Sequence, residues 1–140
     1  MSVDALRALQ KGLLAYLKAQ PSLRVWLGET VRVYDEVPPE VVYPYVRLGR
    51  AEARPVGGLG PEATEQVLTL MAVSRFAGTE EARAIAAELR VLLDQAELSL
   101  EGQHVVSVRV TYVDVFRSSD RYSVHGLVRL RVVSEVAGQG

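Results

Sequence analysis

The chain has 140 residues, 49% of them hydrophobic, with 16 basic against 17 acidic side chains and no cysteine. That is the size of one ordinary domain with enough apolar material for a real core. The composition excludes disulfides, thiolate metal sites and thiol chemistry. The balanced charge argues against gripping a nucleic-acid backbone, which calls for a clearly basic protein. No apolar run approaches the ~18 residues of a membrane-spanning helix, and the N-terminus lacks the apolar core of a signal peptide, so a protein made and kept in a cytoplasm is expected.

Residues 2–19 read as a helix, because Val3, Leu6, Leu9, Leu13, Tyr16 and Leu17 recur at helical spacing. Ser2 is the expected N-cap and Pro21 the stop. A short turn, Leu23 to Leu27, closes at Gly28. Strands are expected at 31–35 and 44–53, joined by a corner stiffened by Pro38-Pro39 and Tyr43-Pro44-Tyr45. Proline fixes φ and pushes the residue before it towards extended geometry.

Residues 54–64 hold three Gly and two Pro and read as a flexible loop. A strand at 65–76 carries apolar residues on both faces: Val67, Met71 and Val73 on one, Leu68, Leu70 and Phe76 on the other. That suggests a central strand, or one covered by another subunit. Thr79 is the expected N-cap of a second helix, with Glu80 and Glu81 in its first turn and a core stripe of Ala82, Ile85, Ala86, Leu89, Leu92 and Leu93. Two long strands, 104–117 and 122–136, flank a turn at Ser118–Arg121. Residues 137–140 read as a disordered tail. The order α-β-β-β-α-β-β predicts one α+β domain over 1–140. Its expected form is a single antiparallel sheet of four to five strands with two helices packed on one face.

Alternation in the last two strands assigns their faces. Val106, Val108, Val110, Tyr112 and Phe116, with Tyr122, Val124, Val128, Leu130 and Val132, are expected under the helices. The other face then carries Arg109, Val113, Val115, His125, Leu127, Arg129, Arg131 and Val133. Pairing Phe116 with Tyr122 sets Arg109 opposite Arg129, a repulsive arrangement. Acidic residues of a neighbouring subunit would relieve it, which makes Arg109, Val113, Leu127, Arg129 and Arg131 the candidate subunit interface.

Catalytic signals are weak. His104 and His125 lie on different strands without metal-ligand spacing. Asp114 falls on an otherwise apolar face near a strand end, where partial exposure or a backbone bond suffices. Gly57-Gly58-Leu59-Gly60 lacks the Lys-Ser/Thr and the following helix of a phosphate loop. No nucleophile elbow or carboxylate pair is recognisable, so no enzyme, metal or cofactor is expected. The 14 Arg against 2 Lys, with no Asn, fit either a GC-rich genome or a thermophile.

Four ordered segments carry a resemblance that covers the chain from Val3 to about Val136. They are the N-terminal helix leading to Leu27-Gly28; Val33-Tyr34-Asp35-x-Val37-Pro38 followed by Pro44-Tyr45-Val46-x-Leu48-Gly49; Ser74-Arg75 and Gly78 before a helix with Ile85-Ala86 and Leu89; and Arg117 to Asp120 followed by His125-Gly126 and Arg129-Leu130-Arg131. The set resembles the tail completion, or tail terminator, family of long-tailed phages, prophages and gene transfer agents. The resemblance implies a non-enzymatic virion protein, assembled in the bacterial cytoplasm, that forms a hexameric ring capping the tail tube. The ring would end tube polymerisation and offer a docking face to the head connector. The implied partners are further copies of the chain, the major tail tube protein and the head–tail connector protein. DNA would pass through the lumen unread, and no membrane or cofactor is involved. Gly57, Gly58, Leu59 and Gly60 are the candidate tube- or neck-contacting loop. A neighbouring neck component (head-closure or connector protein) and a small-molecule-binding α+β domain are the alternative readings.

Overall fold

A computed structural model of the chain describes residues 4–57, 63–75 and 78–137. Helix α1 (Ala5–Lys18) is followed by a 3-10 turn (Pro21–Leu23) and the one-turn helix α2 (Arg24–Leu27). Strands β1 (Val33–Tyr34), β2 (Tyr45–Pro55) and β3 (Ala63–Ser74) precede helix α3 (Glu80–Leu93), and β4 (Gln103–Arg117) and β5 (Val124–Val136) complete the chain. The fold is α+β, as expected.

The five strands form one sheet in the order β1-β2-β3-β5-β4, so β3 is central and β4 is an edge. Three of the pairings are antiparallel, but β1 runs parallel to β2, which corrects the expectation of a purely antiparallel sheet. The path of the connecting segment accounts for the difference. Segment 35–44 does not turn back as a hairpin. It carries the chain round so that Tyr45 enters in the direction of Val33, and the corner is held by Arg32 Nε on Pro44 O at 2.9 Å and by Val46 N on Arg32 O at 2.9 Å. The Tyr43–Pro44 peptide is cis.

Helix α1 is capped by Asp4, whose side chain accepts from Arg7 N at 3.1 Å; Ser2, the expected cap, lies outside the described residues. Its buried stripe of Ala8, Leu9, Leu13 and Leu17 follows the spacing read from the sequence. Thr79 precedes α3, but its hydroxyl accepts from Arg83 Nε at 3.1 Å and makes no bond to the helix backbone.

All the helices pack on one side of the sheet. Leu9, Leu13, Leu17, Ile85, Leu89 and Leu93 meet Val33, Val46, Leu48, Leu68, Leu70, Val128, Leu130 and Val132 in a single core. Burying each such side chain is worth about 1.5–3 kcal/mol. Tyr16 OH donates to Leu92 O at 2.7 Å and ties α1 to α3. Gly126 lets α3 approach β5 closely, since a Cβ there would stand 2.8 Å from Ala82 O. A buried polar run, Gln66 to Ser134 to Gln103, bridges β3, β5 and β4 at 3.0 and 2.9 Å.

The last two strands depart from their expected register. The ladder sets Phe116 opposite His125, not Tyr122, because the connecting loop spans 118–123. Asp120 organises that loop by accepting from Tyr122 N at 2.8 Å and Ser123 N at 3.3 Å. The register then slips twice, between Val105 and Ser107 and between Val110 and Tyr112. Each extra residue moves the side chains beyond it to the opposite face. Val108 and Val110 therefore face the helices as expected. Tyr112 and Phe116 lie on the other face, Val106 is bulged outward, and Val113 and Val115 move to the helix side. Val106, Tyr112 and Phe116 are exposed, as is Tyr122 in the loop. Asp114 likewise falls on the uncovered face, where it accepts from Tyr112 OH at 3.3 Å.

The β2–β3 hairpin runs further than expected. Its ladder reaches Pro55 opposite Thr64, so the ends of the supposed 54–64 loop are strand. Ala137 also makes a bond, N–H to Gly102 O at 2.9 Å, where the tail was expected to begin.

Candidate functional site

Among the described residues no helix packs on the sheet face opposite the core, and the residues of that face can be mapped from the ladders. Tyr45, Val73, His125 and Phe116 form one row, then Arg47, Met71, Leu127 and Asp114, then Thr69, Arg129 and Tyr112, then Glu52, Val67, Arg131 and Arg109, then Arg54, Glu65, Val133 and Ser107. A mixed apolar and arginine-rich surface of this kind suits protein contact better than catalysis.

Four of the five candidate interface residues, Arg109, Leu127, Arg129 and Arg131, share this face. Val113 does not: it sits on the helix side at the open β4 edge. The expected Arg109–Arg129 opposition is also corrected, since Arg109 stands opposite Arg131 and Arg129 opposite Tyr112. The wider 118–123 loop sets Arg129 opposite Tyr112, and the slip at Thr111 then sets Arg109 opposite Arg131.

The chain itself supplies acids to part of this cluster. Glu65 of β3 is almost fully buried and is paired with Arg131, and with Arg54 Nε at 2.6 Å. The hydrogen bond from Arg131, and then that from Arg54, hold its carboxyl below the usual glutamate range. Arg109 Nε reaches Asp94 Oδ1 at 3.2 Å, and the same oxygen accepts from Val110 N at 2.9 Å. That backbone bond is the main reason Asp94 stays ionised to lower pH than a free aspartate. The motive first offered for an acidic neighbour at Arg109 is thereby removed. Arg129 differs: its guanidinium lies 5.0 Å from the centroid of the Tyr112 ring, and no carboxylate pairs with it among the described residues.

At the far end of the face, Tyr34, Tyr43 and Tyr45 cluster, with ring centroids 6.1 Å (Tyr34–Tyr45) and 5.3 Å (Tyr43–Tyr45) apart, and Arg75 sits 4.4 Å over Tyr43. The sequence marked these tyrosines as part of the corner but gave no sign that they would pack together. His125 makes an edge contact with Phe116 at 5.5 Å, and burial, then the charge of Arg47, lowers its pKa below the ordinary value. His104 lies on the outer strand, opposite Glu135. Among the described residues no three His, Asp or Glu side chains gather in a way that could hold a metal ion.

Gly57 is exposed at the end of β2. Gly58, Leu59 and Gly60, the rest of the candidate tube-contacting loop, lie outside the described residues, as do Phe76 and residues 138–140. No described helix is long and apolar enough to cross a membrane.

The fold has known counterparts. A chain in the virion of a native gene transfer agent (GTA) particle superposes with a TM-score of 0.85 at 24% identity, over 96% of this chain and 99% of that one. A second solved chain, 21% identical, covers 100% of this chain and 99% of its own length with a TM-score of 0.52. Both likenesses bear on the fold. A search of curated proteins gives no match. The family model described as "Tail completion protein gp17" matches residues 11–135, and on that match the chain belongs to the tail completion protein gp17 family.

Proposed function

We propose that this protein is a tail terminator: a non-enzymatic ring, of six copies, that caps the finished tail tube. Membership of the tail completion family makes it a structural protein of a phage-type tail. The finer reading is ours. The ring stops further addition of tube protein on one side and presents a docking face to the head connector on the other. DNA passes through its lumen without being read. Assembly takes place in the bacterial host.

The observation that carries the reading is the family match combined with a sheet whose second face, among the described residues, has no helix packed on it and exposes Tyr112, Phe116 and Arg129. In a lone subunit, exposed Tyr112 and half-buried Met71 and Leu127 border water among arginines. In a ring they have partners. We assign the subunit contact to the β4–β5 side of the sheet, with Arg109, Leu127, Arg129 and Arg131 on the face and Val113 on the adjoining edge. We assign the contact with the tube or the neck to Gly57, Gly58, Leu59 and Gly60, of which only Gly57 is among the described residues.

Removing the gene from a producing strain tests the reading. Tubes of uncontrolled length, with heads left unjoined, support it. Tails of normal length, joined to heads, contradict it.

A further inference from the structure

The two edges of the sheet differ in charge, and both lie at the same height along the strands. Beyond β1, segment 29–40 carries Glu29, Asp35, Glu36 and Glu40, all exposed, against one base, Arg32, which is spent on Pro44 O and Trp26 O. Beyond β4, a groove runs between α3 and the strand, lined by Arg83, Ala87, Arg90, Val110, Tyr112 and Val113 among others, with no acid in its lining. Asp94, at its end, is already taken by Val110 N and Arg109.

The edge itself is open there. Gln95 N caps Val108 O at 2.8 Å and Asp94 caps Val110 N, but among the described residues no comparable cap follows between Thr111 and Phe116. A long edge strand left bare in this way is usually covered by something. Tyr112 and Val113 are 46% and 38% exposed beside it, and Val42, next to the acidic segment, is 61% exposed.

Register brings the two edges level. β1 leaves the sheet at Tyr34, opposite Arg47, and the chain returns at Tyr45. Across the sheet, Arg47 aligns with Met71, Leu127 and Asp114, and Tyr45 with Val73, His125 and Phe116. Segment 35–44 is therefore anchored at the height of the open part of β4, four strands away. A second copy set beside the first, strands roughly aligned, would meet β4 with its acidic segment.

We infer that the open β4 edge and the Arg83–Arg90 groove of one copy receive the acidic 29–40 segment of the next. The inference rests on the ring reading and names the surfaces that make it. The contact is head-to-tail, which closes a ring when the rotation between copies allows it. Arginine and aromatic side chains suit the centre of such an interface, and the opposed charges set its direction.

The chain has no cysteine, so a thiol linker reads the contact directly. The chain carrying both Val42→Cys and Val113→Cys is treated with a short bifunctional maleimide. A ladder of cross-linked species is expected, with each single variant giving none. Equal cross-linking by a single variant, or no ladder from the double variant while the unmodified chain sediments as an oligomer, overturns the proposal. Charge exchange is the second arm. Arg83→Glu with Arg90→Glu in one preparation, and Glu36→Arg with Glu40→Arg in another, should each weaken self-association at least ten-fold. Mixing the two should restore it, because each reversed edge then meets a reversed segment. Variants that associate as the unmodified chain does, or a mixture that stays dissociated, overturn the contact. An unmodified chain that is monomeric at every concentration, with and without tail tubes, overturns the ring reading itself.

Discussion

Arg109 and Arg131 stand directly opposite each other across the β4–β5 pair, and each guanidinium is drawn to a different carboxylate. Arg131 pairs with Glu65 on β3 and Arg109 with Asp94 after α3. Like charges set opposite one another on a sheet repel, so the two acids make this arrangement tolerable. Glu65 is the more committed of the two, being buried and shared with Arg54.

Replacing Glu65 by Gln keeps its shape and removes its charge. Arg54 and Arg131, which flank Glu65 from β2 and β5, then lose their shared carboxylate. The variant should melt below the unmodified chain at low salt, and the gap should narrow as salt is raised and the repulsion is screened. Equal melting temperatures at low salt would show that the Glu65 pairs are too well solvated to matter.

The pH dependence has a defined sign. Glu65, Asp94 and Asp120 all hold their protons less readily in the fold than in the unfolded chain, Asp120 chiefly because of the bond from Tyr122 N. His125 is likewise lowered from its ordinary 6.5, mainly by burial. Protonation of each group therefore favours unfolding. Stability should be complete above the ordinary histidine range, decline gently as pH falls through it, and drop steeply once pH falls below the ordinary carboxylate range. Thermal melts across pH 3–8, on the order of the ordinary His and carboxylate pKa range, would check this. A melting temperature that rises on acidification from neutral would contradict it.

Much of the fold could be read from residue spacing. The stripes of α1 and α3, the alternation of β5 and the two-sided apolar character of β3 all follow from side chains with one clear preference. The faces of β4 could not be read this way. Its two slips, at Val106 and Thr111, insert single residues that carry no glycine or proline mark, and each reverses every assignment beyond it. Pairings such as Glu65 with Arg131 join residues far apart in the chain, so no local pattern announces them. The two-residue strand β1 is too short to have a period, and its direction depends on how segment 35–44 folds back.

Gly126 is where α3 comes closest to the sheet. An added methyl group would meet Ala82 O at 2.8 Å and Ala86 Cβ at 3.2 Å, both fixed by the helix. Gly126→Ala should cost about 1–3 kcal/mol in denaturant unfolding, as overpacked sites do. A change within about 0.5 kcal/mol, the range of neutral surface substitutions, would mean that α3 can shift freely.

Arg129 separates stability from assembly. Its guanidinium is exposed and stacked on Tyr112, a contact worth about 0.5–1 kcal/mol at such sites. Arg129→Glu should leave the circular dichroism unchanged and melt only slightly lower, yet give tails of uncontrolled length. Normal tails from this variant would exclude the face around Arg129 from the subunit contact.

The central claim is that copies of this chain close a ring on the end of the tube. Electron microscopy of the intact particle measures that directly. The account predicts six copies around the tail axis, at the junction of tube and head, with β4 of each copy beside segment 29–40 of the next. Copies spread along the tube, or found only in the head, would contradict it.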